Sequence, residues 1–154
     1  MPVYIPLEII AIEDDGFHLM TEVSLNGHAA RVLLDTGASR TAFDKSRIGH
    51  FFREEEPEFM DNEKPSTGLG SGDMQSMAVY IGEMAIGELK IRNYPAVVLD
   101  MGHVNNSYQS LGFKPIDGVL GSDILMKYGA VIDYGKARMR INLRRKSMKK
   151  FPKD

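Results

Sequence analysis

The chain has 154 residues, 43% of them apolar and 26% charged, a size and balance that fit one compact domain with a real core and exclude two full ones. It contains no cysteine, which excludes disulfides, thiolate nucleophiles and thiolate zinc sites. The net charge of −2 conceals an asymmetry: Arg144, Arg145, Lys146, Lys149, Lys150 and Lys153 crowd the end of the chain, leaving an acidic body without the basic, aromatic-bearing face of a nucleic-acid reader.

The opening Met1-Pro2-Val3-Tyr4-Ile5-Pro6-Leu7-Glu8 has neither the basic n-region nor the continuous apolar h-region of a signal peptide. No apolar run approaches the ~18 residues of a membrane span. These features read as a cytoplasmic protein with no membrane and no nucleic-acid partner. It consists of a domain over 1–143 and a basic, flexible tail over 144–154.

Phe17 to Leu34 predicts a hairpin, because Asn26-Gly27 supplies the two positive-φ positions of a type I′ turn between apolar strands. Its second strand ends in the continuous run Val32-Leu33-Leu34, a pattern of burial on both faces. Thr41-Ala42-Phe43 continues extended, with Asp44 capping a short helical turn over Lys45 to Ile48 that Gly49 stops. Arg53-Glu54-Glu55-Glu56-Pro57-Glu58 reads as an exposed connection.

Ser66 to Met74 predicts the glycine-rich tip of a second hairpin, with Gln75 to Ile81 as its return strand. Strands follow at Glu83–Ile86, Leu89–Arg92 and Ala96–Asp100, and 101–116 reads as a long polar loop. After Ile116 to Gly121, Ser122 or Asp123 caps a short helix over Ile124 to Tyr128, ended by Gly129. Ala130–Asp133 and Ala137–Leu143 close the chain as a hairpin. The sum is an all-β domain with one short helix. A faint echo runs through it: Leu25-Asn26-Gly27 leading to Asp35 resembles Ala85-Ile86-Gly87 leading to Asp100, as in a fold of two related β halves.

Asp35 ends a buried strand, and the plain structural reading of Asp-Thr-Gly is an Asx-turn. That reading does not account for the apolar run before it, the glycine-rich hairpin after it, or the later Gly118-Val119-Leu120-Gly121-Ser122-Asp123-Ile124-Leu125. Leu33-Leu34-Asp35-Thr36-Gly37-Ala38-Ser39 resembles the active-site motif of the retropepsin-like (clan AA) aspartic proteases. Gly118 to Leu125 resembles the segment leading into that family's one short helix, and the order of motif, flap and helix also matches over roughly 17–143.

The resemblance is to the retroviral-type, single-motif homodimer, in a bacterial-type member. It implies a closed retropepsin-like β barrel with a flap hairpin and a glycine-rich active-site loop. Asp35 would be the catalytic carboxylate, Thr36 the residue whose hydroxyl locks one subunit's loop to the other's, and Gly37 the close-approach position. Ala38 and the flap residues Gly68, Leu69, Gly70, Ser71, Gly72 and Asp73 would meet the substrate.

The activity so implied is an aspartic endopeptidase without metal or cofactor, working on a peptide or protein substrate. Two like charges about 3 Å apart cannot both ionise cheaply, so one carboxyl keeps a proton while the other removes one from water. The aspartic-protease pair is itself the established example of this effect. The protonated partner then polarises the scissile carbonyl. Ala38, unlike Ser at the same place in many pepsin-like members, cannot donate a stabilising hydrogen bond, which implies an optimum nearer neutral.

Several other features compete. Asp100-Met101-Gly102 mimics the motif, but Met101 has no hydroxyl, so it reads as the equivalent strand end of the second half. His18, His28, His50 and His103 lack metal-ligand spacing. Gly68 to Gly72 is followed by no Lys-Ser/Thr and is not a phosphate loop. Met74 and Met77 suit an adaptable apolar subsite. The alternative function is a non-proteolytic dimer that binds peptides or acts as a scaffold, since fold does not guarantee activity.

Overall fold

The computed structural model describes residues 2–14, 16–52, 57–61 and 77–144. Strands dominate: β1 (Pro2–Pro6), β2 (Glu8–Ile12), β3 (Gly16–Leu25), β4 (His28–Leu34), β5 (Ala42–Asp44), β6 (Met60–Asp61), β7 (Met77–Ile86), β8 (Leu89–Leu99), β9 (Gly118–Leu120), β10 (Val131–Asp133) and β11 (Arg138–Asn142). Two α-helices join them, α1 (Gly102–Ser110) and α2 (Ser122–Lys127), with a 3-10 turn at Ile48–Phe51.

The β3–β4 hairpin forms as expected, with Asn26 and Gly27 at φ 51° and 87°. Eight strands lie in the order β2-β3-β4-β9-β5-β8-β7-β6. Pairing of Ser24 with Ala85 and Leu25 with Met84 joins β3 to β7 and closes the sheet into a barrel. The echo in the sequence has a structural counterpart. The hairpins β3–β4 and β7–β8 flank the central antiparallel pair β9–β5, with β4 parallel to β9 and β8 parallel to β5.

The core has two parts. Val32 and Leu34 of β4 point into the barrel with Leu25, Phe43, Ile81 and Leu120. Leu33 packs on the other side, against a second cluster that includes Met20, Val119 and Tyr108. The run Val32-Leu33-Leu34 is therefore covered on both faces, as a continuous apolar stretch requires.

Five expectations need correction, the first being that Gln75–Ile81 and Glu83–Ile86 are separate strands: from Met77 onward they are the single strand β7, running through Gly82. The 101–116 stretch is not all loop: nine of its residues form α1, so the described residues hold two α-helices rather than one. Its Asn- and Ser-rich sequence carries no strong apolar period, and tertiary bonds hold it instead. Asn105 donates to Asp44 (3.3 Å) and to the Ile116 carbonyl (3.0 Å), and accepts from the Ile116 N–H (2.7 Å). The segments Leu89–Arg92 and Ala96–Asp100 are one strand, β8, which runs through Asn93 (φ 52°) and Pro95. β5 joins β8 only from Val97 onward, so Pro95 needs no second ladder bond there.

Gly49 does not stop a turn but lies inside the 3-10 turn Ile48–Phe51, while Asp44 bonds the Ser46 N–H and hydroxyl ahead of it. Neither Ser122 nor Asp123 caps α2. Its N-cap is Gly121, without a side-chain bond, although Gly129 (φ 58°) follows its end as foreseen. The strands β1 and β2 carry no turn signal between them in the sequence. β1 pairs with β11, and β2 edges the large sheet.

The central crossing is tight. A Cβ on Gly118 would come within 2.4 Å of the Ala42 carbonyl oxygen and 2.5 Å of the Phe43 ring. Gly118→Ala is therefore expected to destabilise the fold by about 2 kcal/mol, read as a lower urea midpoint at unchanged slope.

Candidate active site

Asp35 emerges from the end of β4 beside the end of β9. Its N–H donates to the Leu120 carbonyl at 3.0 Å, and its Oδ1 accepts the Gly37 N–H at 2.9 Å. The Ala38 N–H reaches back to the Asp35 carbonyl at 3.2 Å. These bonds curl 35–38 into a turn that leaves the Asp35 carboxyl half-buried and Thr36 and Gly37 exposed, while the Ala38 methyl is fully buried. Oδ2 of Asp35 and the Thr36 hydroxyl have no hydrogen-bond partner among the described residues.

The loop is held from behind by the start of α2. The Ser122 N–H donates to the Ala38 carbonyl (2.8 Å), and the Gly121 N–H donates to the Thr41 hydroxyl oxygen (2.9 Å). Asp123 Oδ1 accepts both the Thr41 N–H (3.0 Å) and the Thr41 hydroxyl (2.8 Å), while Oδ2 accepts the Tyr94 hydroxyl. Gly121 has to be glycine here, because a Cβ would stand 2.8 Å from the Arg40 backbone and 2.9 Å from the Ala38 oxygen. Thr41, Tyr94 and Asp123 are support residues that sequence reasoning missed. The sequence marks Asp123 only as a helix cap, and nothing local links it to Thr41.

Asp100 repeats the turn without its setting. Its Oδ1 accepts the Gly102 N–H at 2.9 Å, as Asp35 does from Gly37, but Asp100 is exposed and the next residue, Met101, is buried. Thr36 and Met101 therefore separate the two turns: one presents a hydroxyl, the other a core side chain. The flap residues Gly68, Leu69, Gly70, Ser71, Gly72 and Asp73 lie outside the described residues, as do Arg53 to Glu56, Met74 and the tail from 145 onward. A cavity of about 710 Å³ lined by Tyr4, Leu7, Arg31 and Lys114 is elsewhere, and Asp35 does not border it. Among the described residues, no three His, Asp or Glu side chains converge as a metal site would require, and no helix is long and apolar enough to cross a membrane.

A family model described as aspartyl protease matches residues 21–124, a span that takes in the Asp35 turn, β5, β8, α1 and the Asp123 support. The chain belongs to the aspartyl protease family. Among solved structures, it is similar to a retropepsin-like aspartic protease from Rickettsia conorii, with a TM-score of 0.50 and 18% identity over 92% of this chain and 90% of that one. It is also similar to the EIAV protease complexed with the inhibitor HBY-793, with a TM-score of 0.48 and 21% identity over 76% of this chain and 92% of that one. No curated protein matches the sequence. The first likeness extends over almost the whole chain and is one of fold: a retropepsin-like barrel.

Burial, and then the neighbouring Asp123 charge and hydrogen bond, push the Tyr94 phenol well above its ordinary value. The folded protein thus holds this proton more tightly than the unfolded chain. The corresponding stability is complete below the ordinary phenol value of about 10 and is lost as pH rises through the folded value. Asp123→Ala is expected to lower the Tyr94 midpoint in an ultraviolet titration, leaving it above the ordinary value because burial persists. The same change should cost about 3 kcal/mol in chemical denaturation, because it strands the buried Thr41 donors.

Proposed function

We propose that this aspartyl protease family member is an endopeptidase that works as a homodimer, with water activated between the Asp35 carboxyls of two subunits. The observation that carries the proposal is the Asp35 turn. One carboxyl oxygen is tied to its own loop, and the other oxygen and the Thr36 hydroxyl are left without partners among the described residues. A chain with one such motif needs a second copy to supply the second carboxylate. In that pair one carboxyl retains a proton and acts as general acid, and the other acts as general base on water. Thr36 locks the two loops together, Gly37 permits their close approach, and the segment Gly68 to Asp73 meets the substrate, while Ala38, expected from the sequence to do so too, is buried and backs the loop instead.

An extended peptide would lie across the dimer cleft with alternate side chains entering pockets. The domain is 1–143, and a chain ending there should retain activity.

Purified protein is expected to cleave an unstructured peptide library between pH 4 and 8, and Asp35→Asn to abolish cleavage while leaving the dimer intact. Asp100→Asn should leave the rate unchanged. A wild-type dimer that cleaves nothing over that range would sink the proposal. Thr36→Ala should weaken the dimer in sedimentation, and Ala38→Ser should move the rate optimum toward acid by supplying a donor where the methyl now sits.

A second reading, a dimer that binds peptides or acts as a scaffold without cleaving them, draws on α1, which packs against the outer cluster beside the Asp35 loop through Tyr108 and Met101. An intact peptide bound across the cleft after long incubation would favour it.

A further inference from the structure

Charge is distributed less evenly over the folded protein than along its sequence. The body of the chain is acidic, yet the end of α2 lies between two cavities lined by cations. One, of about 280 Å³, is lined by Lys90 and Arg92 of β8 together with Lys127 and Tyr128. The other, of about 650 Å³, is lined by Arg140 and Arg144 with Met126 and Val131. Five cations thus line these two spaces, and neither lining includes an Asp or a Glu. The 710 Å³ cavity, by contrast, sets Glu8, Glu22 and Asp117 beside its Arg31 and Lys114.

Strand geometry brings the five together. Lys90 and Arg92 are two residues apart on β8, so they project to one side of their sheet. Met139 and Ile141 of β11 are buried in the barrel core, which leaves Arg140 between them on the outer face of the three-stranded sheet. There it pairs with Val131 of β10 and with the exposed Tyr4 of β1. The Asn142 N–H donates to the Tyr128 carbonyl at 2.8 Å, fastening the end of β11 to the end of α2. The cavities are therefore neighbours: Met126 lines the larger, and Lys127 and Tyr128, next in the chain, line the smaller.

Little neutralises these cations among the described residues. Ion pairs there engage Arg31, Arg40, Arg47 and Arg92, and leave Lys90, Lys127, Arg140 and Arg144 without a carboxylate. The Arg92–Glu83 contact is 3.7 Å long with Arg92 74% exposed, a pairing worth little. Asp133 lies opposite Arg138, and one of its carboxyl oxygens accepts the Lys136 N–H. After Arg144, the last ten residues add Arg145, Lys146, Lys149, Lys150 and Lys153 against Asp154.

We propose that this basic surface around the end of α2 binds single-stranded nucleic acid. Lys90, Arg92 and Lys127 take phosphates at the smaller cavity, Arg140 and Arg144 take them at the larger, and bases lie against Tyr128, Met126 and Val131. A polymer with one charge per nucleotide gains most from such a run of cations, because each neutralised phosphate releases counterions. A flat anionic membrane would touch the exposed arginines without entering two recesses, whereas a single strand can thread them and stack a base on an aromatic wall. This reverses the expectation of no nucleic-acid partner. The sequence conceals the surface because its cations are scattered from Lys90 to Arg144 within an acidic stretch.

The test follows the fluorescence anisotropy of a labelled single-stranded oligonucleotide of about 16 nucleotides with the full chain, as salt rises from about 50 to 200 mM. The wild type should bind, with affinity falling steeply as salt rises. Lys127→Glu and Arg140→Glu should each weaken binding about tenfold at low salt and lower the salt slope by about 1. Together they should cost about a hundredfold, since they serve different cavities. The tail control, Lys149→Ala with Lys150→Ala, should cost less than either. No binding by the wild type at low salt overturns the proposal, as does binding that the tail control abolishes while Lys127→Glu and Arg140→Glu leave it intact. Poly-glutamate that displaces the probe as well as unlabelled oligonucleotide does marks an acidic polypeptide as the occupant and overturns it too. Vesicles of phosphatidylserine and phosphatidylcholine that capture the protein through the same two residues, with the oligonucleotide unable to compete, overturn it in favour of a membrane. Should circular dichroism show Arg140→Glu unfolded, Arg140→Gln carries that arm, with a loss of about threefold expected and none counting against the proposal. No readout involves cleavage, so this proposal and the endopeptidase reading stand or fall separately.

Discussion

The Asp35 turn depends on a clasp between residues 82 positions apart: Thr41, just past the turn, and Asp123, at the start of α2. One carboxylate oxygen takes both donors of a fully buried threonine, and the threonine oxygen in turn receives the Gly121 N–H. A loop carrying a chemically useful carboxyl must stay open to a substrate, so it cannot be buried for rigidity. Its stiffness comes from bonds made behind it, where the groups are dry and each unmade bond would be costly. Tyr94 extends the same clasp to β8, so the loop, the helix and the opposite hairpin form one hydrogen-bonded unit.

The second half of the barrel shows what the same backbone does without that clasp. The Asp100 turn has the same Asx bond as Asp35, at the same length. Behind it, Asp44 takes the place of a support by accepting the Met101 N–H (3.1 Å) and an Asn105 amide hydrogen (3.3 Å). These bonds turn the chain into α1 rather than into an exposed loop. One half thus ends in a presented carboxyl, and the other in a helix that roofs the face beside it. The difference lies in the residue after each Asp, a hydroxyl kept outside against a thioether drawn into the core.

That arrangement bears on function because α1 and the Asp35 turn are neighbours across the outer cluster. The helix brings a buried phenol, Tyr108, into that cluster and within hydrogen-bond reach of His18 on β3.

Local signals in the sequence determined the β3–β4 hairpin through Asn26-Gly27, the double-sided burial of Val32 to Leu34, the Asp35 turn, the end of α2 at Gly129 and the final hairpin. Each rests on backbone geometry or on side-chain alternation over a few residues, which short stretches of chain carry in full. Tertiary structure alone decided that 102–110 is a helix, that β8 runs through Pro95, that β1 joins β11, and that Asp123 serves Thr41 as well as the Ile124 N–H of its own helix. In each case, what wins is a hydrogen bond or burial supplied by a distant segment, worth more than local propensity and invisible to it. A motif of seven residues can announce a carboxylate. What holds it is settled by residues brought together only when the barrel closes.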